Sequence, residues 1–100
     1  MITVTTPKFQ LGRLLITPGA QNSLKQTGES VWTYFARHAQ GDWGEVDAED
    51  AALNDEALKD GSRLLSAYHL KDGTKIWAIS EAEDDNGQRE ATTILLPEEY

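Results

Sequence analysis

The stretch from Arg63 to Ser80 constrains this chain more than any other. Arg63 to Leu70 and Thr74 to Ser80 are both rich in strand-favouring residues, and they flank Lys71-Asp72-Gly73, where Asp-Gly is a strong hairpin signal. A β-hairpin follows. The tail Glu90 to Leu96 reads as a third strand, reached through the turn Asp84-Asp85-Asn86-Gly87 and ended by Pro97. Phe9 to Ile16 reads as a further strand, added at an edge of the sheet, and Gly12 within it marks a bulge or a close backbone approach.

Between these strands the punctuation is helical. Thr17 suits an N-cap and Pro18 a first helical residue, because its missing N–H would have no partner there, so a short helix runs to about Thr27 and closes on Gly28. Ser30 caps a second helix, in which Val31, Tyr34, Phe35 and His38 share one face and which stops near Gly41. Gly41-Asp42-Trp43-Gly44 is a turn carrying an aromatic ring over the core. Asp47 to Asp50 form an acidic helix start, and Asn54-Asp55-Glu56 begin one more turn ending at Gly61, with Leu53 and Leu58 as the large apolar anchors. The expected architecture is α+β: a three- to four-stranded antiparallel sheet with short helices packed on one face. Leu65, Tyr68, Ile76, Trp77, Ile94 and Leu96 are expected in its core, with Leu24 and Phe35 packed over the sheet. At least two of Trp32, Trp43 and Trp77 are expected to be core residues.

One hundred residues suit a single domain that buries roughly two thirds of its unfolded surface. The absence of cysteine excludes disulfides, thiolate metal sites, iron–sulfur clusters and cysteine nucleophiles. No apolar run approaches the roughly 20 residues of a membrane span, and MITVTTPKFQ has neither a basic start nor an apolar signal core, so a cytoplasmic location without membrane contact is expected. The net charge of −8 is unevenly spread: Met1 to Gly44 carries four bases against two acids, and Glu45 to Tyr100 five bases against fifteen acids. Such a balance disfavours direct nucleic-acid binding, which needs a cationic surface, and favours a basic protein partner.

Several polar clusters carry possible chemistry. His38 and Asp42 lie four positions apart at a helix end, a spacing that suits a carboxylate-oriented general base or, more simply, a histidine resting on the helix dipole against Asp42. Ser66 or His69 completes a hydrolase-like trio on paper, but Ser66 lies in a strand and not in a Gly-flanked elbow. His38, His69 and Asp42 are the candidate ligands for a divalent ion, at a spacing that is not diagnostic. Asp84 to Gly87 lacks the alternating ligands of a calcium loop, and no phosphate-loop pattern occurs, so neither a metal nor a cofactor is expected.

The carboxylate runs are the other feature: seven acids between Glu45 and Asp60, and five between Glu81 and Glu90. Regularly spaced carboxylates can imitate the phosphates of a duplex and enter the cationic cleft of another protein. Glu45, Asp47, Glu49, Asp50, Asp55 and Glu56, with Trp43 as an aromatic anchor, form the candidate partner-binding surface.

Leu11-Gly12-Arg13, Thr17-Pro18-Gly19-Ala20, Arg37-His38 with Gly41-Asp42-Trp43-Gly44, and the closing Ala91-Thr92-Thr93-Ile94-Leu95-Leu96-Pro97-Glu98-Glu99-Tyr100 span most of the chain. In this combination the chain resembles a family of short bacterial proteins carried on plasmids, phages and integrative elements, the plasmid-related proteins. The resemblance implies an accessory role on a mobile element and no particular activity. The functional expectation is therefore an interaction protein acting through its acidic face, including nucleic-acid mimicry against a host nucleic-acid-binding or defence protein. The alternative is a small hydrolase or metal-dependent enzyme using His38 and Asp42.

Overall fold

A computed structural model describes residues 7–100. Strands β1 (Arg13–Ile16), β2 (Leu64–His69), β3 (Lys75–Ser80) and β4 (Ala91–Leu95) form one sheet in the order β1-β4-β3-β2. The hairpin closes as the Asp-Gly turn requires, β2 pairing antiparallel with β3 in the register Tyr68↔Ile76 and Leu64↔Ser80. β4 pairs antiparallel with β3, through Ala78↔Ile94 and Ser80↔Thr92.

The N-terminal strand corrects the antiparallel expectation, because β1 lies parallel to β4 and the sheet is mixed. The two strands enter the sheet side by side: the N–H of Arg13 donates to the carbonyl of Glu90 and that of Thr17 to the carbonyl of Ile94. Gly12 makes this entry possible. It takes φ +69°, and a Cβ there would stand 2.3 Å from the carbonyl oxygen of Arg89, so only glycine admits the approach. This bend also explains why the strand begins at Arg13 and not at Phe9.

The helices α1 (Pro18–Thr27) and α2 (Val31–Ala39) have the expected caps. Thr17 accepts a hydrogen bond from the N–H of Ala20, Ser30 accepts from that of Trp32, and Gly28 closes α1 in the left-handed conformation. The C-terminal turn fastens onto the start of α1: the Glu99 carboxylate accepts from the Thr17 hydroxyl at 2.5 Å and from the N–H of Gly19 at 3.0 Å. Ala20 and Leu24 of α1 and Tyr34 and Phe35 of α2 pack on Tyr68, Ile76, Ala78 and Ile94, which share one face of the sheet. On the opposite face Trp77, half-buried, meets the ring of Tyr100 edge-on at 5.9 Å between centroids. Leu65 and Leu96 are also half-buried, so the core is narrower than expected. Trp43 is the one tryptophan that is fully buried, whereas Trp32 is 63% exposed on α2.

The acidic middle segment is a single helix, α3 (Ala48–Asp60), capped by Asp47 and closed by Gly61. Its phase differs from the expectation. Leu53 is 62% exposed, and Asn54 and Ala57 face inward instead. Asn54 decides this: its side-chain N–H donates to the carbonyl of Leu65 at 2.8 Å, and its side-chain oxygen accepts the Leu65 N–H at 3.1 Å. A single amide thereby pairs with the outer edge of β2 as a neighbouring strand would. Trp43, Ala57 and Leu64 form a second small core below it.

Candidate functional site

The two functional ideas read from the sequence, the histidine and the acidic face, occupy different places in the fold. His38 is fully buried on the inner face of α2, at 0% exposure. Its Nδ1 lies 2.5 Å from the Ser66 hydroxyl on β2 and its Nε2 2.9 Å from the Ser80 hydroxyl on β3. Ser80 lies 2.6 Å from the Thr92 hydroxyl on β4, which donates to the carbonyl of Leu11 at 2.7 Å.

The direction of every bond in this chain follows from its last member. A carbonyl only accepts, so Thr92 uses its hydrogen on Leu11 and must accept from Ser80. Ser80 then has no hydrogen left for the ring. Nε2 therefore carries the proton and donates to Ser80, while Nδ1 accepts from Ser66. The Phe9 and Trp43 rings close the pocket edge-on to the imidazole, at 5.2 and 5.7 Å. Burial, with the Arg89 guanidinium as a lesser cause, lowers the His38 pKa to about 4, so the ring is neutral at pH 7.

The expected His38–Asp42 pair does not form. Asp42 is held by Arg37, whose Nε and Nη2 donate to its two oxygens at 2.6 and 3.3 Å, and it also accepts from the Gly44 N–H at 3.1 Å. A guanidinium fork competes for the carboxylate better than a neutral imidazole does. These bonds, the Arg37 contact foremost, keep the Asp42 carboxyl below its usual range. Ser66 does meet His38, but both are sealed from solvent and no carboxylate orients the ring, so a substrate cannot reach the dyad. His69 stands at the end of β2 with the Glu45 carboxylate as its partner. The three side chains weighed as metal ligands, His38, His69 and Asp42, thus have three separate sets of neighbours.

Sequence reasoning missed Arg89. This buried side chain donates from Nη1 to the carbonyls of Ser62 at 2.6 Å and Glu81 at 2.9 Å, and from Nη2 to that of Ala57 at 3.1 Å. It ties the end of α3 to the segments before β2 and after β3, and its guanidinium covers the Phe9 ring at 5.6 Å. No local pattern marks such a residue. The hydroxyls were accessible to reasoning, since Ser66 alternates with Leu64 and Tyr68, and Thr92 with Ile94, on the core-facing side of their strands.

The acidic surface is built by α3 and the turn before it. Glu45, Asp47, Glu49, Asp50, Asp55 and Glu56 are all exposed. Asp47 accepts the Asp50 N–H at 2.8 Å as the helix cap, and Asp55 accepts the indole N–H of Trp43 at 3.1 Å. Trp43 is thus a buried strut beneath the surface and offers a partner little of its ring. Among the described residues Glu45 is the only one of the six in an ion pair, with His69. Glu49, Leu53, Glu56 and Asp60 follow one another at helical spacing along the outward face. An exposed leucine thus stands in a row of carboxylates. No family model, curated protein or solved structure matches the chain.

Proposed function

We propose that this chain is an accessory protein of a mobile genetic element that works by docking its α3 face on a basic protein surface. The observation that carries this reading is the outward face of α3, where carboxylates outside any ion pair among the described residues flank the exposed Leu53 along the helix. Unpaired surface carboxylates in a chain of net charge −8 repel one another, and a cationic partner relieves that repulsion. Leu53 supplies apolar contact at the centre of a charged rim, an arrangement suited to an interface core. The fitting partner is a protein whose cationic cleft otherwise holds nucleic acid, and the site of action is the cytoplasm.

The test uses the wild-type chain and a variant carrying Glu49→Gln, Asp50→Asn, Asp55→Asn and Glu56→Gln as baits in the native host. A partner held by the wild type, released by salt and by duplex DNA, and missed by the variant agrees with the reading. A specific partner held equally by both baits contradicts it.

A further inference from the structure

The two edges of the sheet are finished differently. The outer edge of β2 is occupied at Leu65 and Ala67: Asn54 pairs with Leu65, the N–H of Ala67 donates to the carbonyl of Trp43 at 3.1 Å, and the Ala67 carbonyl accepts from the N–H of Glu45 at 2.7 Å. Gly44 sits against this edge so closely that a Cβ would lie 2.0 Å from the Ala67 oxygen. The outer edge of β1 has no partner among the described residues. Arg13 and Thr17 direct their N–H groups toward β4, so by ladder alternation the N–H and C=O groups of Leu14 and Ile16 point outward. Beyond Arg13 at its start, which pairs with Glu90, this edge is apolar on both faces. Leu14 is 39% and Leu15 42% exposed. Beside it, on the helix side, lies a mostly apolar hollow of about 240 Å³ formed by Ile16, Leu24 and Val31 with Gln21, Lys25 and Glu29.

We infer that two copies of this chain join antiparallel through β1, with Leu15 of each opposite Leu15 of the other, to make one continuous eight-stranded sheet. In this register Leu14 of one copy faces Ile16 of the other, and these are the residues whose polar backbone groups point outward, so four inter-strand hydrogen bonds form. Leu14 and Ile16 lie on the helix side, because Ile16 pairs with the core residue Ile94. Leu14 of each copy therefore arrives beside the hollow that contains Ile16 of the other. Knob and hollow lie on the same edge, as a two-fold interface requires. Since the β2 edge is occupied, the assembly closes at two chains.

Charge selects the same occupant. Beside β1 the acids are engaged, Glu90 by Arg13 and Glu99 by Thr17 and Gly19, whereas α3 with its carboxylates outside ion pairs packs against β2 at the far edge. Pairing through β1 keeps the two acidic faces at opposite ends of the dimer. It is the one edge at which two chains of net charge −8 meet without setting those faces together.

The absence of cysteine makes the test direct. In the inferred register the two Leu15 Cα atoms are about 4.5 Å apart, within disulfide range. Leu15→Cys is expected to form covalent dimers under mild oxidation at micromolar chain, and Trp32→Cys, more exposed but off the seam, to remain monomeric. Sedimentation of the wild type should show a monomer–dimer equilibrium between micromolar and millimolar chain, and Leu14→Lys should sediment as a monomer, with the wild type's melting temperature at concentrations where the wild type is monomeric. A single-chain mass for the wild type at every concentration overturns the inference, including the case in which this edge captures an extended peptide of another protein. Equal cross-linking of the two cysteine variants, or a persistent Leu14→Lys dimer, also overturns it.

Discussion

Replacing His38 by Gln should remove most of the chain's loss of stability between pH 7.5 and pH 5. In the folded protein the ring is sealed, Nδ1 is engaged by the Ser66 hydroxyl, and the pKa falls from 6.5 to about 4. The unfolded chain takes up its proton near pH 6.5, so below that pH the unfolded state binds more protons and stability falls with pH. Above it, this group contributes no slope. With about 1.4 kcal/mol per pKa unit, the loss is about 2 kcal/mol by pH 5 and about 3 kcal/mol by pH 4. Carboxylates with lowered pKa, such as Asp42 and Glu99, add their own losses near and below pH 4, so the window from pH 6.5 to 5 lies above them. Urea melts of wild type and His38→Gln at several pH values give the two slopes, and the imidazole resonances give the pKa directly. A His38 midpoint above pH 6, or equal slopes in the two proteins, would refute a sealed, neutral ring.

Phe35→Ala removes a ring buried between α2 and the sheet and should cost about 3 to 5 kcal/mol in denaturant melts. Asn54→Ala strips both bonds from the Leu65 edge of β2 and should cost about 2 kcal/mol, with faster amide exchange at Leu65 as the local sign. Arg89→Lys should fail to rescue the loss seen in Arg89→Ala, because an ammonium cannot span the carbonyls of Ala57, Ser62 and Glu81; thermal melts of the two variants compare them. Leu53→Ala should leave stability within about 0.5 kcal/mol, since that side chain faces solvent.

What was legible in the sequence was local. The hairpin, the Thr17 and Ser30 caps and the Gly28 stop each rest on a few adjacent residues, and the α+β class follows from them. The parallel pairing of β1 with β4 depends on residues at opposite ends of the chain meeting at Gly12, and no adjacent pattern announces that. In α3 hydrophobicity pointed the wrong way: a polar side chain, Asn54, turns inward to bond the β2 edge and carries Leu53 out to solvent. His38 was placed on the buried face of α2, but its partner was misassigned, because spacing along a helix says nothing of Arg37 competing for Asp42 or of hydroxyls arriving from β2 and β3. The acidic run was legible as charge, and the fold adds that Glu49, Asp50, Asp55, Glu56 and Asp60 share one helix, with Glu45 and Asp47 in the turn before it.

If α3 docks electrostatically on a basic partner, the affinity of the captured partner depends on ionic strength, and its measurement at two salt concentrations decides the matter. Raising salt from 0.1 M to 1 M shortens the Debye length from about 10 Å to about 3 Å, so wild-type binding should weaken steeply. The variant neutralised at Glu49, Asp50, Asp55 and Glu56 should bind weakly at both salts while remaining folded, because Asp55→Asn keeps an acceptor for the Trp43 indole, and His38→Gln, once folded, should bind as the wild type does. Salt-independent binding, or a defect confined to the histidine variant, would contradict the claim.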